Sequence, residues 1–134
     1  MHWWVCLAAS LVVLPVVAEE TASTQGGQGL AVQQAAICTG VVDRSPAGAA
    51  EVFEAGVGKL WCFTRIVGIP ADMTITHVWY QGEQKVHEQQ LTIHAPAWRT
   101  WSNKTIPPEW KGAWHVDVVG ADGSVLTTLR FNIE

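Results

Sequence analysis

Ala113-Trp114-His115-Val116-Asp117-Val118-Val119, then Gly120-Ala121-Asp122-Gly123, then Val125-Leu126-Thr127-Thr128-Leu129-Arg130-Phe131-Asn132-Ile133 is the stretch that decides the fold. In the first run Trp114, Val116 and Val118 recur at every second position. In the last, Val125, Thr127, Leu129, Phe131 and Ile133 do the same. A period of two puts alternate side chains on one face of a strand. Gly and Asp between the runs supply the backbone freedom a reversal needs. The stretch therefore predicts two strands joined by a turn, each with one apolar face.

Upstream the pattern repeats. Strands are predicted over Ala97–Ile106, Gln84–His94, Met73–Gln81 and Gly58–Val67, with a first strand over about Gln33–Arg44. In Gly58–Val67, Leu60, Cys62 and Thr64 alternate with Trp61, Phe63 and Arg65. Gly82-Glu83 suits a two-residue hairpin with Gly at its first position. No window holds a helical stripe over three turns. Ala49–Ala55, between Pro46-Ala47-Gly48 and Gly56, is expected to be loop or a single turn. About seven strands at roughly 10-residue spacing predict an all-β domain, a small antiparallel β-sandwich of immunoglobulin-like kind.

The N-terminus reads differently. Trp3 to Ala18 carries no charged side chain and resembles the hydrophobic region of a signal peptide. Val16 and Ala18 stand at the −3 and −1 positions of a cut before Glu19, and Pro15 breaks the helix just ahead of it. Glu19, not Cys, follows the cut, which excludes a lipoprotein anchor there. The apolar run, at about 16 residues, is shorter than the ~20 that span a bilayer. The expected organisation is signal peptide 1–18, a polar Gly-rich flexible tether 19–31, and a β-sandwich domain 32–134. The expected location is periplasmic or secreted, with membrane contact only if the signal stays uncleaved.

Charge narrows the function classes. The 134 residues carry 8 Lys/Arg and 12 Asp/Glu, for a net charge of −4. A mildly acidic chain with no charge run beyond Glu19-Glu20 argues against nucleic acid and against polyanions in general. Past the signal, the remaining cysteines are Cys38 and Cys62. An even count in an oxidising compartment suggests a disulfide, stabilising by about 3 kcal/mol on the chain-entropy model. The alternative is two small buried hydrophobes on separate strands.

Several strings now read together: Cys38, Val42, Arg44 and Pro46; Leu60-Trp61-Cys62-Phe63-Thr64; His77-Val78-Trp79-Tyr80; Trp98-Arg99-Thr100-Trp101-Ser102 with Lys104 and Ile106; Gly112-Ala113-Trp114-His115-Val116-Asp117-Val118; Asp122-Gly123; and Phe131. In this combination the chain resembles the bacterial domain-of-unknown-function family 2914, over about Ala36 to Ile133. The resemblance implies a small extracytoplasmic β-domain and implies no activity.

Candidate site residues follow from residue type. Of eight Trp, Trp79 and Trp114 are expected in the core, and Trp110, in the loop Pro107–Gly112, to be the most exposed. Indoles stack sugar rings and also fill thin cores. The expected ligand-binding residues are Trp98, Arg99, Trp101, Lys104 and Trp110. Arg99 and Lys104 are suited to a carboxylate or phosphate, although Arg99 is more economically paired with Asp117 or another acid. Trp98 and Trp101 have opposite parity and do not share a face unless the strand bulges. The expected structural residues are Cys38, Cys62, His77, Trp79 and Trp114, with a His77–Glu88 contact across the hairpin. The four histidines His77, His87, His94 and His115 show no ligand spacing, so no metal and no cofactor is expected. A Ser102, His77 and Asp117 triad can be written on paper, but no Gly-x-Ser-x-Gly motif supports it. Glu51, Glu54, Glu88 and Asp117 supply no defined pair of glycosidase carboxylates. The sequence thus points to an exported, non-catalytic binding module of the cell envelope, with an envelope protein or glycan as partner. A carbohydrate-binding module using exposed Trp is the alternative, and a hydrolase the remote one.

Overall fold

The computed structural model describes residues 29–134. The expected signal segment, and the expected tether as far as residue 28, lie outside the described residues. Ten strands follow in order: β1 (Ala31–Cys38), β2 (Gly40–Val42), β3 (Ser45–Ala47), β4 (Val52–Phe53), β5 (Gly58–Val67), β6 (Met73–Gln81), β7 (Gln84–Ile93), β8 (Ala97–Ile106), β9 (Gly112–Val119) and β10 (Val125–Ile133). One sheet has the order β1-β5-β8, a second the order β4-β10-β9-β6-β7, and β2 and β3 form a separate hairpin. The two sheets face each other across one core, as the alternation predicts.

The opening stretch pairs as expected. Trp114 lies opposite Phe131, Val116 opposite Leu129 and Val118 opposite Thr127, with a bulge near Leu126. The Gly82-Glu83 turn also forms, with Gln81 opposite Gln84 and Gly82 at φ 60°. Three expectations fail, each for a local reason. The first strand does not run to Arg44. Asp43 and Arg44 both adopt positive φ (52° and 60°), which folds the chain into the tight β2–β3 turn. The stretch Ala49–Ala55 is neither loop alone nor a helical turn, because Val52 and Phe53 add a short parallel strand beside Asn132 and Ile133. This seats Phe53 edge-on against Phe131, with centroids 6.1 Å apart. Finally, β7 bulges at Val86, so His87 faces Trp79 and Glu88 faces Val78. An extra residue shifts every later partner by one. His77 therefore lies opposite Gln89, and the expected His77–Glu88 contact does not form. Glu88 instead accepts from Lys85 at 2.7 Å.

The core has two apolar lobes. The larger gathers Leu60, Cys62, Trp79, Ile106, Trp114, Val116 and Phe131. The smaller gathers Ile66, Ile69, Ile75, Ile93 and Val118. Trp79 and Trp114 are buried as expected, at 0% and 2% exposure.

The disulfide is corrected. Cys38 and Cys62 are both free and buried. Ile37 lies opposite Cys62 and Cys38 opposite Trp61, so adjacent parity turns the two thiols to opposite faces of the sheet. A bridge would need a register slip and would misplace both faces. Cys62 points into the larger core lobe, where burial pushes its thiol pKa up. Cys38 sits on the outer face beneath the β2–β3 hairpin. Burial raises its pKa, while the Gly40 and Ala47 backbone amides oppose the rise. We predict that a reductant leaves the melting temperature unchanged and that both thiols react with a thiol reagent only after denaturation. A drop of several degrees on reduction would restore the bridge, whose loss would cost about 3 kcal/mol.

Candidate functional site

Between the two core lobes lies a row of polar side chains. His77 on β6 is fully buried, as are Thr64 on β5 and, nearly so, Thr100 and Ser102 on β8. His77 Nδ1 is 2.7 Å from Ser102 Oγ, and its Nε2 is 3.2 Å from Thr64 Oγ1. Trp79 Nε1 donates to Ser102 Oγ at 3.0 Å, and Thr64 Oγ1 donates to the Thr100 carbonyl at 3.2 Å.

Proton counting fixes the directions. The Thr64 hydroxyl has one proton and gives it to Thr100, so His77 Nε2 must donate to Thr64. Nδ1 is then the acceptor, and the Ser102 hydroxyl donates to it while accepting from Trp79. The side-chain donors of His77, Thr64, Ser102 and Trp79 are thus each used once, as burial demands of polar groups. A second proton on His77 would take the Nδ1 lone pair and leave the Ser102 hydroxyl proton without an acceptor. Burial alone already disfavours the cation and lowers the His77 pKa to about 4.

The paper triad separates on folding. Ser102 and His77 touch, but Asp117 lies on the outer face of β9, where it accepts from Thr128 Oγ1 at 2.7 Å. The Ser102–His77 pair is buried in the core.

The outer face of the β1-β5-β8 sheet is different in kind. Cross-strand pairing arranges it in rows: Lys59 opposite Thr105, Trp61 opposite Asn103, Phe63 opposite Trp101, and Arg65 opposite Arg99. Phe63 is buried under a parallel stack with Trp101, with centroids 6.1 Å apart and planes at 12°. Trp61 and Trp101 are half-buried, diagonal neighbours on this one face. Lys59 Nζ stands 5.8 Å from the centre of the Trp61 ring. The β2–β3 hairpin contacts β1 and β5 and brings Arg44 to 5.8 Å from the Trp98 ring centre.

The five expected ligand residues thus divide among three places. Arg99 and Trp101 share the outer face. Trp98, of the opposite parity with no bulge in β8, packs against the smaller core lobe and meets His94 edge-on at 4.5 Å. Trp110 is half-buried, as are Trp61, Trp98 and Trp101. It leans on Trp114 at 6.1 Å, and its carbonyl accepts from Trp114 Nε1 at 2.9 Å. Lys104 Nζ covers that same ring at 5.3 Å. The expected Arg99–Asp117 pair does not form, because the two residues stand on different sheets. Sequence reasoning missed Trp61 and Arg65 as site residues. Their parity with Phe63 was readable, but nothing in β5 alone says that this face, not the other, is the outer one.

The fold and this face define a small, nearly all-antiparallel β-sandwich with an aromatic and cationic outer sheet face. Residues 72–133 match the model of a family described as Protein of unknown function (DUF2914). Over that stretch, which runs through β6 to β10 and holds the His77, Arg99 and Trp114 strings, the family resemblance of the sequence holds. No curated protein matches the chain. Among solved structures the chain is similar to the endonuclease/exonuclease/phosphatase from Beutenbergia cavernae DSM 12333, at 15% identity, covering 78% of this chain and 35% of that one, with a TM-score of 0.34. The chain therefore spans little more than a third of that protein, and so loose a likeness carries no argument about its activity.

The buried row makes a pH prediction. In the unfolded chain His77 titrates near 6.5, and in the folded chain near 4. Above pH 6.5 both states are neutral and stability is full. Between 6.5 and 4 the unfolded chain takes up a proton that the folded chain refuses, so stability falls as pH falls, by about 3 kcal/mol in all. Urea midpoints at pH 7 and 4.5 should differ more in the wild type than in His77→Gln; a gap equal at both pH values would remove His77 as the cause. Ser102→Ala should cost about 2–4 kcal/mol at pH 7, since it strips partners from both the imidazole and the indole.

Proposed function

We propose that the chain is an exported, non-catalytic binding module of the cell envelope, and that it binds a glycan through the outer face of β5 and β8. The observation that carries this reading is the pair Trp61 and Trp101 on one outward face. Two indoles offer flat apolar surfaces to sugar rings while polar neighbours such as Asn103 meet hydroxyls. Indoles that served packing alone would sit, like Trp79 and Trp114, between the sheets. The absence of catalysis is supported by the seclusion of Ser102 and His77 and by the distance in the fold between Asp117 and that pair. A periplasmic or secreted location follows from the signal-like N-terminal segment.

A protein partner is the second reading. A groove of about 520 Å3 runs between β1 and β10, lined in part by Ala35, Ala36, Ala49, Ala50, Thr127 and Thr128. Small side chains beside two strand edges suit an added strand.

Intrinsic tryptophan fluorescence, titrated with envelope and extracellular polysaccharides, should show a saturable shift. Trp61→Ala and Trp101→Ala should each weaken binding about tenfold, the worth of one aromatic contact. Trp110→Ala should leave it unchanged. A flat titration across the whole panel would favour the protein partner.

A further inference from the structure

We infer that this face selects a glycan bearing uronate carboxylates, one of them held between Arg65 and Arg99. The inference rests on the glycan-binding reading above and adds the charge of the ligand. Arg65 and Arg99 lie directly opposite each other on neighbouring strands. Like charges so placed destabilise a sheet, and folding offers no compensation here. No Asp or Glu occurs on β1, β5 or β8. The ion pairs among the described residues are Lys85 with Glu88 and His94 with Asp72, neither on this sheet. Arg65 Nη1 donates to Gln33 Oε1 at 2.9 Å, a neutral partner brought near by the β1 bulge between Val32 and Gln34.

The whole protein carries a net charge of −4, yet the outer face of this sheet holds Lys59, Arg65 and Arg99, none of them in an ion pair among the described residues. Along β5 the outward positions read Lys59, Trp61, Phe63, Arg65, a span of about 20 Å at ~3.3 Å per residue. A cation, the Trp61 indole, the Phe63 ring stacked by the Trp101 indole of β8, and a paired cation therefore follow one another across the face. One ligand class answers all of them. A pyranuronate presents an apolar ring face to an indole and a planar carboxylate that a guanidinium grips with two parallel hydrogen bonds. A free inorganic anion would leave the indoles unused, and a neutral sugar would leave the arginines facing each other.

The test titrates the whole protein with oligogalacturonate and with the same oligomer fully methyl-esterified, following tryptophan fluorescence. The acid form should bind at least tenfold more tightly than the ester and weaken as salt rises. Arg65→Gln and Arg99→Gln should each weaken the acid form about tenfold without touching the weaker binding of the ester. Both variants should melt no lower than wild type, because each removes a like-charge contact. Equal binding of acid and ester, abolished by Trp101→Ala, would overturn the charge inference and leave the glycan reading standing. Binding of neither oligomer would overturn the inference, and a flat response to the wider polysaccharide panel would take the glycan reading with it. Acid-selective binding indifferent to both arginine variants, or variants that melt several degrees lower, would also overturn the inference.

Discussion

His77 joins the two sheets from the middle of the core. Its ring nitrogens reach across the sandwich to Ser102 on β8 and Thr64 on β5, so one residue of β6 touches two strands of the opposing sheet. Apolar contact alone tolerates sliding, because one Ile fits nearly as well against another. Hydrogen bonds do not. Moving β8 by one residue would carry Ser102 to the outer face and leave the imidazole and the Trp79 indole without partners in a medium where such groups are costly. The two lobes of the core, built on Trp79 and Trp114 on one side and on Ile66, Ile75 and Ile93 on the other, take their alignment from this bridge.

The bridge also explains a polar row in a chain otherwise rich in large apolar residues. An aliphatic residue at position 77 would fill the space, and buried polar groups are not in themselves stabilising when compared with good apolar packing. What the row supplies is a single answer to which residues face inward. The Nε2–H tautomer satisfies both neighbours at once, and no second arrangement of protons does. That uniqueness is lost when the ring is protonated, which ties the fold's specificity to a neutral imidazole.

Much of this was legible in the sequence. Period-two alternation gave β5, β6, β8, β9 and β10 nearly to the residue, because each has one buried face and turn residues at its ends. The core indoles Trp79 and Trp114 followed from the same alternation. What stayed hidden depends on facts that alternation does not carry. The positive φ of Asp43 and Arg44 makes a hairpin where the side chains suggest a continuing strand. The bulge at Val86 changes which residue His77 meets, and a bulge leaves almost no mark on a polar strand such as β7. The cysteines were countable, but their opposite parity across β1 and β5 needed the register. The site was half legible. Arg99 and Trp101 stood out by type, whereas Trp61 and Arg65 required knowing which face of β5 is outermost. Net charge concealed the cationic sheet, since it sums over surfaces that the fold keeps apart.

Strand β8 connects the core to the face. Its inward residues Thr100 and Ser102 belong to the buried row, and its outward residues Arg99, Trp101 and Asn103 alternate with them on the binding side. β8 is an edge strand of its sheet, and edges fray unless something holds them. The bonds from Ser102 to His77 and Trp79, and from Thr64 to the Thr100 carbonyl, hold this one through its inner face. The outer side chains inherit that rigidity, because a strand fixed at alternate positions is fixed at the positions between them. A ligand meeting Trp101 and Arg99 then finds their spacing already set and spends little ordering on binding, the condition under which a shallow sheet face achieves useful affinity. The string Trp98-Arg99-Thr100-Trp101-Ser102 therefore joins two duties in one strand, anchoring through every second residue and recognition through the others.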